Sequence, residues 1–194
     1  MNEQILAVPN RIINEKINAD FKNFIKIKFS DFGKILEYGN FYERNKIESD
    51  NNFRQIIPYV VFKNKENKIL VLKRTQNQGE KRLHNKISIG IGGHINKNDI
   101  GISKEQTFFN GMDREINEEL WLTSNSKYIY KGIINDNSEE VSNVHLGILF
   151  IGFVEHAEIK EIENFQSKWL KKEEILQMSY LNLEGWTKIA LENI

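Results

Sequence analysis

The chain has 194 residues, 40% of them apolar, enough for one compact domain with its own core and too short for two large ones. Lys plus Arg and Asp plus Glu each number 27, so the net charge is zero and the basic excess of a nucleic-acid-wrapping protein is missing, although a local basic patch stays open. Cysteine is absent, which excludes disulfide staples, thiolate chemistry and Cys-ligated zinc or iron.

No apolar run approaches the roughly 18 residues of a membrane span. Residues 1–11 lack the basic start and apolar run of a signal peptide, so the expectation is a cytoplasmic protein with no membrane partner. Residues 1–50 read as an N-terminal extension packed on a domain of residues 51–194, with dimerisation or a substrate lid as open roles for it. Within it, 5–8 fits a short strand. Ile13, Ile17, Phe21 and Phe24 fall at helical spacing, and Ile25, Ile27 and Phe29 alternate with Lys26 and Lys28 as in a half-buried strand. Residues 41–52 are polar.

Residues 56–62 form a strong strand pattern in which Pro58 points to an edge or a strand start. With 69–74 it makes a hairpin over a turn at 63–67. A polar loop over 75–85 carries Lys81, Arg82 and His84. Ile87, Ile89 and Ile91 alternate with small residues and run into Gly92-Gly93, where close backbone approach or positive φ is allowed. After a polar loop over 96–102, Ser103 sits three residues before Gln106 as in a capping box. The predicted helix, 104–121, shows Phe108, Met112, Ile116 and Leu120 as one apolar stripe. Strands over 128–134 and 144–154 flank an acidic loop, and two surface helices, 172–178 and 184–193, follow. Trp169, Leu170 and Ile175 would anchor the first of these, and Trp186, Ile189 and Ala190 the second; Trp121 likewise reads as a packing residue. Strands on both sides of one amphipathic helix define a layered α/β or α+β fold.

Chemistry concentrates in Arg114-Glu115-Ile116-Asn117-Glu118-Glu119. Glu115, Glu118 and Glu119 are spaced i, i+3, i+4, so they share one helix face beside the buried stripe. Crowded carboxylates repel one another unless a cation neutralises them, and hard oxygen ligands suit Mg²⁺ or Mn²⁺. Gly92-Gly93 could offer a bare carbonyl as a further ligand. The plainer reading is a solvated Glu-rich helix with Arg114 as an ion-pair partner and a tight glycine turn.

Taken together, these residues resemble the Nudix box: Gly, five residues, Glu, seven residues, then Arg-Glu-apolar-any-Glu-Glu-any-Gly-apolar. The resemblance extends to the strands over 69–74 and 87–94 and to Trp169-Leu170 with Glu173-Glu174-Ile175. It implies an α/β/α sandwich with a mixed sheet and a Mg²⁺-dependent hydrolase (Mn²⁺ as the alternative ion) that cleaves a diphosphate linkage in a small nucleoside diphosphate derivative. By position, Glu118 and Glu119 match the principal metal-binding glutamates, Glu115 the third, Arg114 the arginine that braces them, Gly92 a metal-reaching carbonyl and Gly93 the first glycine of the box. Asp136, Glu139, Glu140 and Glu155 are candidates for one more carboxylate, Glu139 and Glu140 favoured. Arg74, Lys81, Arg82, His84 and His94 are candidate substrate contacts, while His145 reads as structural.

Three departures stand out. Seven extra residues separate Gly93 from the helix, Gln106 stands where counting back from Arg114 puts the early glutamate, and Trp121 replaces the closing glycine. The last two motivate the alternative of a non-catalytic nucleotide-binding module on the same scaffold. An isopentenyl diphosphate isomerase on a related scaffold ranks low because that family relies on a cysteine, and RNA decapping lacks support from charge. A homodimer is open.

Overall fold

The computed structural model describes residues 3–17, 23–74, 86–123, 126–136, 142–160, 163 and 165–194. In chain order these form β1 (Gln4–Pro9), α1 (Asn10–Ile17), β2 (Asn23–Ile25), α2 (Phe29–Leu36), β3 (Asn40–Glu43), α3 (Arg44–Ile47), β4 (Phe53–Lys63), β5 (Ile69–Arg74), β6 (Ile87–Ser88) and β7 (Gly90–Ile91). There follow α4 (Lys104–Glu119), β8 (Leu120–Leu122), β9 (Lys127–Asn135), β10 (His145–Phe153), β11 (Ala157–Ile159), β12 (Phe165–Leu170), α5 (Lys172–Leu176) and α6 (Gly185–Asn193).

One mixed sheet organises the molecule, in the order β12-β5-β4-β10-β9-β2, with β4 and β10 parallel and the other neighbours on this path antiparallel. Alternate residues of the central strands feed two cores. Ile56, Val60, Phe62, Ile148 and Phe150 meet Phe32 of α2 and Phe108, Met112 and Ile116 of α4. On the other face Tyr59, Val61 and Leu149 meet Ile175, Ile189, Ala190 and Leu191 of α5 and α6. This is a three-layer α/β/α sandwich with a mixed sheet, as the resemblance implies. No helix among the described residues is long and apolar enough to cross a membrane.

The second edge of β4 is covered in sequence by three strands. Lys63 pairs with Ile69 of β5, Val61 and Val60 pair with Gly90 and Ile91 of β7, and Gln55, Arg54 and Phe53 pair with Ala7, Val8 and Pro9 of β1. Gly92 to Ile95 crosses the gap between β7 and β1, and the Ile95 carbonyl accepts a hydrogen bond from Leu6 N at 2.8 Å. The predicted strand 87–91 is therefore broken in two, because β6 pairs with β5 and β7 with β4.

Pro58 corrects the edge-strand expectation: it sits at the centre of an inner strand, opposite Ile148. In extended chain a residue's N–H and C=O point the same way. The Pro58 carbonyl faces Gly92, since a Cβ there would overlap it. Proline's missing donor thus falls on the side where the Gly92-Gly93 segment replaces a regular ladder, and pairing to β10 loses nothing.

Two N-terminal readings also change. The helix expected over 12–24 is α1, with residues 18–22 outside the described set and Phe24 in β2. The alternation through Ile27 and Phe29 spans an element boundary: Phe29 opens α2, whose Phe32, Ile35 and Leu36 are buried.

Candidate active site

Burial of its stripe sets the position of α4. Phe108, Met112, Ile116 and Leu120 are each at most 2% exposed, which stabilises docking by about 1.5–3 kcal/mol per side chain. Ser103 caps the helix, its Oγ accepting from Gln106 N at 3.0 Å. The predicted end at 121 moves to Glu119. Leu120 is already extended (φ −124, ψ 144) and enters β8, which pairs with β11. A left-handed exit is not used, so the closing position needs no glycine and tolerates Trp121.

Trp121 is 63% exposed, not packed inside. The Lys160 ammonium lies 4.0 Å from its ring centroid and donates to the Asn117 carbonyl, while Lys160 N donates to the Glu119 carbonyl at 2.8 Å. A cation thus sits on the helix C-terminus. Trp186 does pack, edge-on to Tyr59 with centroids 5.4 Å apart.

Arg114 is the hub of the site. Its Nε donates to Asp99 Oδ1 at 2.8 Å and its Nη2 to Asp99 Oδ2 at 3.0 Å, a bidentate pair. Nη2 also donates to the His94 carbonyl at 2.7 Å, and Nη1 donates to Glu115 Oε1 at 2.8 Å and Glu118 Oε2 at 3.1 Å. The Asp99 hydrogen bonds, then Glu115, raise the Arg114 pKa above its ordinary value and keep it charged. Asp99 is 4% exposed and ends a short 3₁₀ turn, Lys97–Asp99, where its Oδ2 also accepts from Asn96 N at 2.8 Å.

Asp99 is the residue that sequence reasoning missed, and it corrects the place given to Gln106. Five residues separate Gly93 from Asp99, the spacing from glycine to acid in the box pattern. The seven inserted residues fall after this acid. The signal was present in the count forward from Gly93; counting back from Arg114 concealed it.

Gly93 lies directly against Glu115. The three atoms nearest a Cβ built at Gly93 are all from the Glu115 carboxylate, with Oε1 at 2.6 Å and the other two closer. The double-glycine segment and the acidic helix face therefore meet. The Glu115 side chain is 15% exposed. Burial, then the charges of Glu118 and Asp99, raise its carboxyl above the ordinary range against the pull of Arg114. Glu118 is exposed and Glu119 half-buried.

The other candidates separate clearly. His94 is part-buried and held at its ring: its Nε2 lies 2.6 Å from Gln55 Oε1 and 3.3 Å from His145 Nε2. Burial, then the charges of Arg44, His145 and Arg114, lower its pKa to about 3, so the ring is neutral at pH 7. Arg74 closes β5, but its side chain, like Lys81, Arg82, His84, Glu139 and Glu140, lies outside the described residues. Asp136 is buried one residue past β9, at the sheet end where His145 opens β10. Glu155 is excluded from the site: it follows the far end of β10 and pairs with Lys65 at 2.5 Å.

Among the described residues, no three His, Cys, Asp or Glu side chains converge into a group that could hold a metal ion. Arg114 draws Glu115 and Glu118 to its own Nη1. The donor set nevertheless fits a hard divalent cation, because it offers carboxylates on one helix face beside a glycine backbone that leaves room for the Glu115 head group.

The sandwich, the box helix and its arginine clamp define a class, and the chain belongs to the Nudix hydrolase family. The crystal structure of Tm1382, assigned to the Nudix hydrolases, superposes with a TM-score of 0.86 at 36% identity, covering 98% of this chain and 97% of that one. Protein YmaB of Bacillus subtilis is 33% identical over 99% of this chain and 97% of its own length. The Nudix domain of NrtR from Shewanella oneidensis, in complex with ADP-ribose, shares the fold at a TM-score of 0.51 and 16% identity over 72% of this chain and 84% of its own. No family model matches the chain.

Proposed function

We propose that the protein is a divalent-metal-dependent hydrolase of a diphosphate linkage in a nucleoside diphosphate derivative. The observation that carries this reading is the contact between the Gly93 backbone and Glu115, on the helix that also presents Glu118 and Glu119. Glu115, Glu118, Glu119 and the Gly92 carbonyl would hold the ion. A bound Mg²⁺ or Mn²⁺ supplies charge to the phosphate oxygens and lowers the pKa of a water that can act as nucleophile.

The chain's own contribution is positioning and proton transfer. Arg114, fixed by buried Asp99, orients Glu115 and Glu118. Glu115 Oε1 is engaged by Arg114, which leaves Oε2, the atom nearest the Gly93 position, as the oxygen that would serve either the ion or a proton of the attacking water. As the new P–O bond forms, the bridging P–O bond breaks and the second phosphate departs. The two departures that favoured a non-catalytic module have structural answers, since Asp99 supplies the early acid and an extended Leu120 removes the need for glycine.

The test is a Mg²⁺ and Mn²⁺ screen against ADP-ribose, nucleotide sugars, nucleoside triphosphates, dinucleoside polyphosphates and capped RNA, with product identification. Turnover that vanishes in Glu118→Gln and Glu119→Gln is expected. Turnover unchanged by both substitutions, or absent from every compound, overturns the assignment.

A further inference from the structure

A second polar group stands beside the carboxylates, where the Gly92-Gly93 segment passes the end of β4. Gln55 is 0% exposed, yet its amide nitrogen Nε2 has no hydrogen-bond partner among the described residues. Its Oε1 is engaged by His94 Nε2 at 2.6 Å, so the amide is oriented with its donor end left over. An amide oxygen only accepts, so in this contact His94 Nε2 is the donor. His145 lies opposite Gln55 in the β4–β10 register, with its ring centroid 5.5 Å from that of His94. His94 and His145, which flank the amide, are both part-exposed.

A buried, unpaired amide donor is unfavourable, and few such groups persist in folded proteins without a use. A leftover amide N–H calls for an acceptor such as an oxygen. The His94 carbonyl is bound by Arg114, and its neighbour Gly93 touches Glu115, so the residue that holds the Gln55 amide is itself tied to the carboxylate site.

We propose that Gln55, positioned by His94 and His145, is a substrate-contacting specificity residue that donates its amide hydrogen to an oxygen of the nucleotide derivative. This rests on the hydrolase reading of the neighbouring carboxylates. The oxygen comes either from the phosphate that is not attacked or from a hydroxyl or carbonyl of the group attached to it.

The experiment compares wild type with Gln55→Met, and with Gln55→Glu as a second variant that keeps the acceptor for His94. Dissociation constants for ADP-ribose and for inorganic tripolyphosphate are measured with Mn²⁺ present, alongside KM, kcat and thermal unfolding. Gln55→Met is expected to bind ADP-ribose about tenfold more weakly; because it also removes the acceptor of His94 Nε2, its stability is read beside that of Gln55→Glu, which keeps that acceptor. A merely structural Gln55 gives the reverse, lower stability with binding intact, and that result overturns the proposal, as does binding within twofold of wild type for both variants. Should Gln55→Met fail to fold, Gln55→Glu carries the test on the same binding criterion.

Weakening of both ligands assigns the oxygen to phosphate, and weakening of ADP-ribose alone assigns it to the attached group. If wild type binds without turnover and Gln55→Met binds more weakly, the hydrolase reading fails and this one stands. If both variants turn over with unchanged KM, the role of Gln55 fails and the hydrolase reading stands. Failure of wild type to bind either ligand overturns both.

Discussion

Gly93→Ala adds one methyl group at the point where the backbone meets the Glu115 carboxylate. The nearest atoms to the new Cβ are all in that carboxylate, at 2.6 Å or less. Ordinary van der Waals contact begins near 3.4 Å, so the head group must retreat by about 1 Å. It is the far end of a flexible side chain, and it can retreat without moving the backbone. The expected cost in folding stability is below about 1 kcal/mol, within the range of substitutions that leave the core untouched. A misplacement of about 1 Å at a reacting group costs on the order of 100-fold in rate. Gly92→Ala provides the contrast, because its Cβ would meet the Pro58 backbone carbonyl, which cannot rotate away. It should lose about 2 kcal/mol or more of stability. Urea unfolding and Mg²⁺-dependent hydrolysis of ADP-ribose, or of whichever compound the screen identifies, measure the two effects. Gly93→Ala hydrolysing at the wild-type rate would refute the placement of Glu115 in the chemistry.

Arg114→Lys retains the charge but not the bidentate fork, leaving Asp99 buried with poorer pairing; a loss of about 3 kcal/mol is expected by urea unfolding, and a loss below about 0.5 kcal/mol would show that the clamp is not structural. His94 makes stability pH-dependent: its lowered pKa means that its contribution is fully present above the unfolded value near 6.5 and is lost as pH falls toward about 3. Between pH 7 and pH 5 this group should remove about 2 kcal/mol from wild type, and His94→Gln should flatten the profile by that amount; parallel profiles would contradict it. Lys160→Ala removes the cation from the α4 C-terminus and should cost about 0.5–1 kcal/mol in thermal unfolding, with hydrolysis little changed.

The parts of the site legible in the sequence are those fixed by one helical period. Glu115, Glu118, Glu119 and the stripe Phe108, Met112, Ile116 and Leu120 needed only a 3.6-residue repeat, and the structure puts each where that repeat requires. Asp99 was hidden because its partner, Arg114, lies 15 residues further on and across an insertion. Gln55 was hidden because a glutamine in a strand carries no signal until His94 is brought against it by the crossing from β7 to β1. Pro58 misled for a definable reason: sequence cannot tell which side of a strand carries the missing N–H, and here it is the side with no ladder to lose. Phe29 misleads because the alternation over 25–29 runs across the boundary between β2 and α2.

The central claim is that the acidic face of α4, beside Gly93, binds a divalent cation. Titration of the protein with Mn²⁺, followed by electron paramagnetic resonance of the free ion, tests it without needing a substrate. At least one saturable site is expected, one that Mg²⁺ competes for and that is weakened about tenfold or more in both Glu118→Gln and Glu119→Gln. Mn²⁺ binding that is absent from wild type, or equally strong in both variants, would contradict it.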